Sequence, residues 1–328
     1  MQGKIIFFSE SETFGKAPRD FEDARTEFGW SIMLDAEWYP ISVKPNKRYD
    51  LGIVIIPKNN PKVDINHIRK VCDKVAVMQE GPHWLFQDYK MEQQIWWYNA
   101  LTEFDMLFAH NHKDVNYYKG ITNKPVHKMP TLMLTEKLGI TSRTETLVDN
   151  YGDLPSPKAY DKDKVIIGGN MVRWYGGFDS YVVAQEFETP ISAPSMGRKI
   201  DREDEMDINH FPYMTWVEWI NNLSQFKYGV HLMPTHAAGT FTLNCAFHGI
   251  PCIGYEGLDT QEELHPHLTV KDGDIALAKQ YAKDLKNDED FYELCSTSSR
   301  ENYQNSLYNE KNFVPHITEI LEELYENN

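Results

Sequence analysis

Short apolar runs alternate with stretches of helical period along the first 130 residues. Lys4 to Phe8 reads as a buried strand closed by the polar triplet Ser9-Glu10-Ser11. Ile32 to Leu34 and Trp38 to Val43 are further short strand candidates. Asp50 to Pro57 is a β-branched run ended by proline, the pattern of a strand covered on both faces. Asp64 to Lys74 predicts a helix with Ile65, Ile68 and Val71 on one face and Asp64 as N-cap. Val75 to Met78 returns as a strand. Asp88 to about Asn111 then predicts one long helix, with Met91, Ile95, Tyr98, Leu101 and Met106 at helical spacing. Strands joined by crossover helices make a parallel sheet with helices on its faces.

The pattern breaks between Asn150 and Lys164, a polar stretch with two prolines and no apolar period, and then restarts. Val165 to Asn170 predicts a strand running into a glycine turn, Gly177 to Phe187 a helix, and Pro190 to Met196 a strand. Met214 to Phe226 predicts an amphipathic helix bearing Trp216, Trp219, Ile220 and Leu223. Strand Tyr228 to Met233, helix Thr240 to His248 and strand Pro251 to Tyr255 follow. Helices over Asp274 to Leu285, Asp288 to Tyr308 and Pro315 to Tyr325 complete the pattern, the last with Ile317, Ile320, Leu321 and Leu324 on one face. A length of 328 residues exceeds what one core usually fills, so two domains are expected, 1–150 and 151–310. Residues 311–328 are expected to form a helix that packs back on the first.

A hydrophobic content of 41% against 25% charged residues fits a globular protein and excludes global disorder. The net charge of −16, with no run of Lys or Arg, disfavours generic nucleic-acid binding, whose affinity depends on neutralising phosphates. None of Cys72, Cys245, Cys252 and Cys295 forms a C-x-x-C pair, so neither a zinc site nor a redox motif is suggested and the cysteines are read as structural, with Cys245 and Cys252 in helix and strand interiors as reduced small hydrophobes. Neither a signal-peptide layout nor an apolar run long enough to span a bilayer occurs, which leaves the cytoplasm as the expected compartment.

The chemistry concentrates in Tyr228 to Tyr255. There the loop Thr235-His236-Ala237-Ala238-Gly239-Thr240 joins a strand to a helix that ends at Gly249. Small residues such as Ala238 and Gly239 let an anion come close, and backbone N–H groups at a helix start favour phosphate. Thr240 and Thr242 add hydroxyl donors. In the first half, Glu80 and His83 follow a predicted parallel strand on the carboxyl edge, where open α/β sheets bind ligands, and either could take a proton from a hydroxyl. His110-Asn111-His112 has the look of a metal motif but lacks a third ligand, and is read as solvent-facing. Gly168-Gly169-Asn170 lacks the G-x-G-x-x-G spacing of a dinucleotide site. Trp96, Trp97, Trp216 and Trp219 are expected in the cores.

The ordered series from Val165 to Tyr255, closing on Gly249-Ile250-Pro251-Cys252-Ile253-Gly254, resembles the donor half of GT-B-fold glycosyltransferases. The resemblance implies an α/β protein of two Rossmann-like domains facing across a cleft, moving a sugar from a nucleotide-sugar co-substrate to a hydroxyl acceptor without a metal or other cofactor. It also implies residue roles. Arg173, in the loop after the first strand of the second half, would neutralise the donor diphosphate, with Arg198-Lys199 as a second basic candidate. Phe211 to Tyr213 would stack on the base. In retaining members a pair of glutamates holds ribose and sugar; here those positions fall on Asn244 and His236. Three readings stay open beside the transferase: a nucleotide-sugar epimerase, a transferase acting on DNA bases, and a catalytically silent nucleotide-binding scaffold.

Overall fold

The computed structural model describes residues 4–9, 26–57, 63–143, 164–169, 171–194 and 203–326. The expected linker, apart from Lys164, lies outside these residues, as do Asn170 and the pair Arg198-Lys199. The chain forms two compact units, Met1–Leu132 together with Glu310–Asn328, and Met133–Asn309.

Unit 1 is a six-stranded sheet in the order β2-β1-β3-β4-β5-β6, with every pairing parallel. Its strands are β1 (Ile5–Ser9), β2 (Glu37–Pro40), β3 (Tyr49–Ile56), β4 (Cys72–Gln79), β5 (Met106–Ala109) and β6 (Val126–Lys128). Four helices cross between them: α1 (Thr26–Met33), α2 (Ile65–Arg69), α3 (Met91–Ala100) and α4 (His112–Lys119). The residues of β1 and β3 are almost wholly buried, as runs covered by helices on both faces must be.

Several sequence expectations are corrected. Ile32 and Met33 end α1, and Leu34 continues it with a hydrogen bond to the Trp30 carbonyl at 3.0 Å. Asp35 then turns the chain at φ 48° into β2. β2 lies at the sheet edge and stops at Pro40, which has no N–H for the ladder. α2 covers only five residues, although its Asp64 cap is real: the carboxylate accepts from His67 N at 3.2 Å. The long helix over Asp88 to Asn111 is three elements. Phe104 enters the core and the Asp105 carboxylate accepts from Val75 N at 2.8 Å, which fixes a break between α3 and β5. α3 consequently turns Trp97 and Ala100 inward, leaving Met91, Ile95 and Tyr98 more than half exposed.

Unit 2 is a second parallel six-stranded sheet, ordered β12-β11-β10-β7-β8-β9. The strands are β7 (Val165–Ile167), β8 (Ile191–Ala193), β9 (Asn209–His210), β10 (Tyr228–His231), β11 (Cys252–Tyr255) and β12 (Thr269–Val270). The helices are α5 (Thr135–Leu138), α6 (Gly177–Ala184), α7 (Trp216–Leu223), α8 (Thr240–Phe247), α9 (Asp259–Leu264), α10 (Ile275–Asn287) and α11 (Glu289–Asn305). Local chemistry sets several starts. Thr215 and Glu218 close a capping box on α7, and Asp274 and Asp288 cap α10 and α11 through N–H groups three residues on.

From β7 the chain winds outward through β8 and β9, then returns to the other side of β7 through β10, β11 and β12. The direction therefore reverses between β7 and β10, which makes their carboxyl ends the natural ligand crevice of this sheet. In unit 1 the reversal falls between β1 and β3, and the loops leaving those two strands lie outside the described residues.

The helix α12 (Glu310–Glu326) belongs to unit 1. It starts five residues before Pro315 and forgoes one i→i−4 hydrogen bond there. Burial pushes the Tyr325 phenol on α12 up to about 12, with Asp50 and Asp73 adding to the shift. Among the described residues no helix is long and apolar enough to cross a membrane. All four cysteines are buried and free.

Unit 2 contains three buried histidines, two of which need the neutral imidazole to satisfy their partners. His248 Nε2 donates to the Ile220 carbonyl at 2.8 Å while Nδ1 accepts from Arg143 N at 3.2 Å. His265 Nε2 donates to the Thr242 carbonyl at 3.0 Å while Nδ1 accepts from Cys252 N at 3.4 Å. A second ring proton would face an N–H in both. Burial depresses His231, His248 and His265 to about 4, about 3 and about 4. Unfolded histidines titrate near 6.5, so below that pH the unfolded chain takes up protons that the native unit refuses. Stability should thus be full above about pH 6.5 and fall towards pH 4, by up to about 1.4 kcal/mol per pH unit for each histidine. Urea unfolding at pH 7.5 and pH 5.0 measures this. The expected outcome is a lower midpoint at pH 5.0 and a shallower decline in His265→Gln; equal midpoints at the two pH values would refute it.

Candidate functional site

The carboxyl ends of β7 and β10 bring together the two loops on which the sequence reading converged. Gly168 N donates to the Val230 carbonyl at 2.8 Å, extending the β7–β10 ladder to its last residue. A methyl group on Gly168 would overlap His231 Nδ1 and the Phe241 ring. Gly176 sits at φ 63°, and a side chain there would run into the Leu232 carbonyl. Thr235 Oγ1 donates to the Trp174 carbonyl at 2.9 Å, and the Ser180 hydroxyl accepts from Leu232 N at 2.9 Å while donating to the Gly176 carbonyl at 2.8 Å. The two loops are thereby held as one surface.

α8 begins at that surface. Its N-cap, Gly239, adopts φ 72°, which only glycine takes at little cost, and a Cβ there would overlap Thr260 Oγ1. The Gly239 carbonyl accepts from Thr242 Oγ1 and Thr260 Oγ1, each at 3.0 Å, and from Leu243 N at 3.2 Å. The carbonyl is thus turned inward, along the helix. The first N–H groups of α8 have no partner within the helix, and a glycine N-cap has no side chain to offer them. Ala237, Ala238, Thr240 and Phe241 are half-buried, so this end of α8 faces outward with its positive dipole end, and the loop residues Ala237, Ala238 and Gly239 leading into it are small.

His236, Ala238, Gly239 and Thr240 therefore share one loop and helix start. Asn244 lies one turn further into α8 and is 1% exposed, with its Oδ1 lacking a hydrogen-bond partner. Such a buried acceptor calls for a donor. Arg173 stands in a single 3-10 turn, Arg173–Tyr175, on the facing loop; its side chain lies outside the described part of the structure. Of the three base-stacking candidates, Phe211 packs its ring against Phe226 at 5.8 Å, which leaves Tyr213 as the exposed aromatic ring.

In unit 1, Glu80 and His83 both follow β4. Glu80 is half-buried and its N–H donates to the Ile56 carbonyl at 2.8 Å. His83 opens a 3-10 turn (His83–Asp88) and meets a partner that sequence reasoning missed. Asp114, in the first turn of α4, lies 2.5 Å from His83 Nδ1 and also accepts from His83 N at 2.9 Å. Asp114 is itself buried and held: its other oxygen accepts from Asn111 Nδ2 at 2.8 Å, and its N–H donates to Asn111 Oδ1 at 2.8 Å. The Tyr117 ring stacks on His83 with centroids 4.0 Å apart. A carboxylate on Nδ1 fixes the tautomer and puts the basic lone pair on Nε2, which is the arrangement of an oriented proton acceptor. The available signal was the Asn-x-x-Asp spacing at 111 and 114, a helix start of capping type. His110-Asn111-His112 instead drew attention for its histidines. His110 is buried against Trp30 with rings 5.4 Å apart, not solvent-facing, and Asn111 is the cap.

No protein-family model and no curated protein matches this sequence. Solved structures do match. HepE from Anabaena, in complex with UDP and glucose, has a TM-score of 0.61 at 10% identity, covering 98% of this chain and 100% of that one. Sucrose-phosphate synthase from Thermosynechococcus elongatus has a TM-score of 0.62 at 13% identity, covering 85% and 75%. OtsA, in its apo form, has a TM-score of 0.59 at 10% identity, covering 84% and 73%. At such identities the likeness is one of architecture, and with two parallel six-stranded sheets flanked by helices the chain has the α/β GT-B fold.

Proposed function

We propose that this protein is a glycosyltransferase that moves a sugar from a nucleoside diphosphate sugar to a hydroxyl acceptor. The observation that carries this reading is the outward-facing start of α8 at the β7–β10 reversal, with Gly239 at φ 72° and small loop residues leading into it. It is where a diphosphate gains most from unfilled N–H groups and a helix dipole. HepE, which shares the fold, is described with UDP and glucose, and that supports a nucleotide sugar as the ligand class here.

In this reading the first turn of α8 and Thr240 hold the phosphates, and Arg173 adds a cation that can fork onto their oxygens. Asn244 Oδ1 accepts from a ribose hydroxyl, Tyr213 stacks on the base, and His236 attends the sugar. His83 Nε2 takes the acceptor proton, with Glu80 as the second candidate. The acceptor oxygen bonds to the anomeric carbon as the bond to the diphosphate oxygen breaks, and nucleoside diphosphate leaves. No metal is required, since backbone N–H groups and Arg173 meet the leaving charge. The buried free thiols agree with work in the reducing cytoplasm. A held Asp–His pair favours the transferase over a silent scaffold, which has no use for an oriented base.

A thermal-shift titration against UDP, GDP, ADP, CMP and dTDP tests the donor site. One nucleotide should raise the melting temperature, because a ligand at a hundredfold excess over its dissociation constant adds about 2.7 kcal/mol. Thr240→Val should weaken that nucleotide about tenfold without changing the apo melting temperature, as one hydroxyl donor to phosphate is lost. Gly239→Ala should lower the apo stability as well, by about 1 kcal/mol or more, from the left-handed backbone it forces on alanine. No shift with any of the five would end the donor-site reading.

The base assignment has its own test. Asp114→Asn should lower turnover by about a hundredfold or more through loss of the Nε2 lone pair, with donor affinity unchanged and a displaced pH–rate profile. Unaltered turnover would remove His83 from that role.

A further inference from the structure

We infer that Gln79 and Tyr118 are positioning residues for the proton acceptor: one buried hydrogen bond between them holds α4 to the end of β4 and keeps His83 seated against Asp114. This rests on the reading of His83 as base and names the groups that stand behind it. Gln79 is the last residue of β4, four positions before His83. Tyr118 lies one helical turn after Asp114 on α4. Its phenol donates to Gln79 Oε1 at 2.7 Å, and both residues are only 3% exposed. Burial, reinforced by the charge of Asp114, holds the Tyr118 phenol well above its ordinary range, so it keeps the proton that it donates.

Two hydrogen bonds therefore join the same two elements. Asp114 meets His83 from the first turn of α4, and Tyr118 meets Gln79 from the second. Residues four apart lie on one side of a helix, so the pair of bonds fixes the rotation of α4 as well as its position. That rotation decides where Tyr117 points. The Tyr117 ring stacks on His83 with centroids 4.0 Å apart and meets the Tyr118 ring edge-on at 5.4 Å. The imidazole is thus held by a carboxylate at its edge and by an aromatic ring on its face, and both holders ride on the helix that Gln79 secures.

Stability alone does not account for Gln79. Val75 and Val77 precede it on the same face of β4 and belong to the apolar core of unit 1, as do Trp97 and Tyr118. In that setting Gln79 Nε2 is buried without a hydrogen-bond partner, a cost that an apolar side chain of the same length would avoid. What the amide supplies, and methionine would not, is the acceptor for Tyr118. Departures of this kind from apolar packing are expected where a site has to be held in place.

Heteronuclear magnetic resonance on the full chain with isotope-labelled histidine tests this, because it reads the Nδ1–H of His83 without any substrate. Hydrogen-bonded to a carboxylate, that proton should give a low-field signal, assigned by its loss in His83→Gln. Gln79→Met keeps the side-chain length and removes the unfilled donor, so the melting temperature should hold. The His83 signal should nevertheless broaden or vanish through exchange with water, in Gln79→Met and in Tyr118→Phe alike, while the ring signals of the buried His248 and His265 stay. Turnover of Gln79→Met should fall about tenfold at unchanged nucleotide affinity, since a misplacement of about 1 Å is enough for that. It should fall no further when Asp114→Asn is already present, because both act through His83. An unchanged His83 signal in both variants, with Asp114→Asn abolishing it, overturns the inference and leaves the base reading intact. Loss of the His248 and His265 signals together with that of His83 also overturns it, because the pair would then serve the fold as a whole. Absence of the signal from the unaltered protein removes the His83–Asp114 pairing on which both readings stand.

Discussion

The approach of the β7–α6 loop to the β10–α8 loop leaves no room for one additional carbon atom at Gly168 or Gly176, and Thr260 of α9 leaves none at Gly239. Everything proposed for unit 2 depends on that closeness. The parallel β7–β10 pairing sets the carboxyl ends side by side, and the winding reverses there, so the two loops diverge to opposite flanks only after they have met. Ser180 and Thr235 tie them together across the junction. Thr242 of α8 and Thr260 of α9 then pin the Gly239 carbonyl from two sides. The N–H end of α8 is consequently held in place before any ligand arrives, and preorganised donors cost no reorganisation when an anion binds.

The architecture was legible in the sequence to the extent that burial and local chemistry agree. β3, β7, β10, β11 and α8 lie where apolar runs, the Pro-initiated strand at 251 and the small-residue loop placed them. Asp64 and Asp274 cap helices as their side chains suggest. Where packing decided instead, periodicity misled. Met91, Ile95 and Tyr98 keep helical spacing yet face outward, because Trp97 is the larger apolar payload and α3 rotates to bury it. A single long helix could not be told from helix, strand and helix while the break depended on Phe104 and on an Asp105 carboxylate capping a distant strand.

The candidate site divides in the same way. His236 to Asn244 was readable because a glycine N-cap and its neighbouring small residues are close in sequence. Asp114 was not, since it reaches His83 across 31 positions and only the fold makes them neighbours. The three buried histidines of unit 2 illustrate a further limit. In the sequence they look like His83 and His236, yet His248 and His265 are struts whose two nitrogens bridge backbone groups of opposite polarity. Titratable residue type announces chemistry, whereas burial and partners decide whether there is any.

The return of α12 to unit 1 also fixes an order of assembly. Unit 2 is one contiguous stretch, so all of its contacts are available once Asn309 has been made. Unit 1 holds its whole sheet in the first 132 residues but lacks a covering helix until residues 310–326 appear. Closing so long a loop adds little to the equilibrium cost, which grows only logarithmically with length, but distant contacts form slowly. On the ribosome, the half of the molecule translated second is thus the first to mature, and the half translated first waits, partly uncovered, for the last helix to arrive.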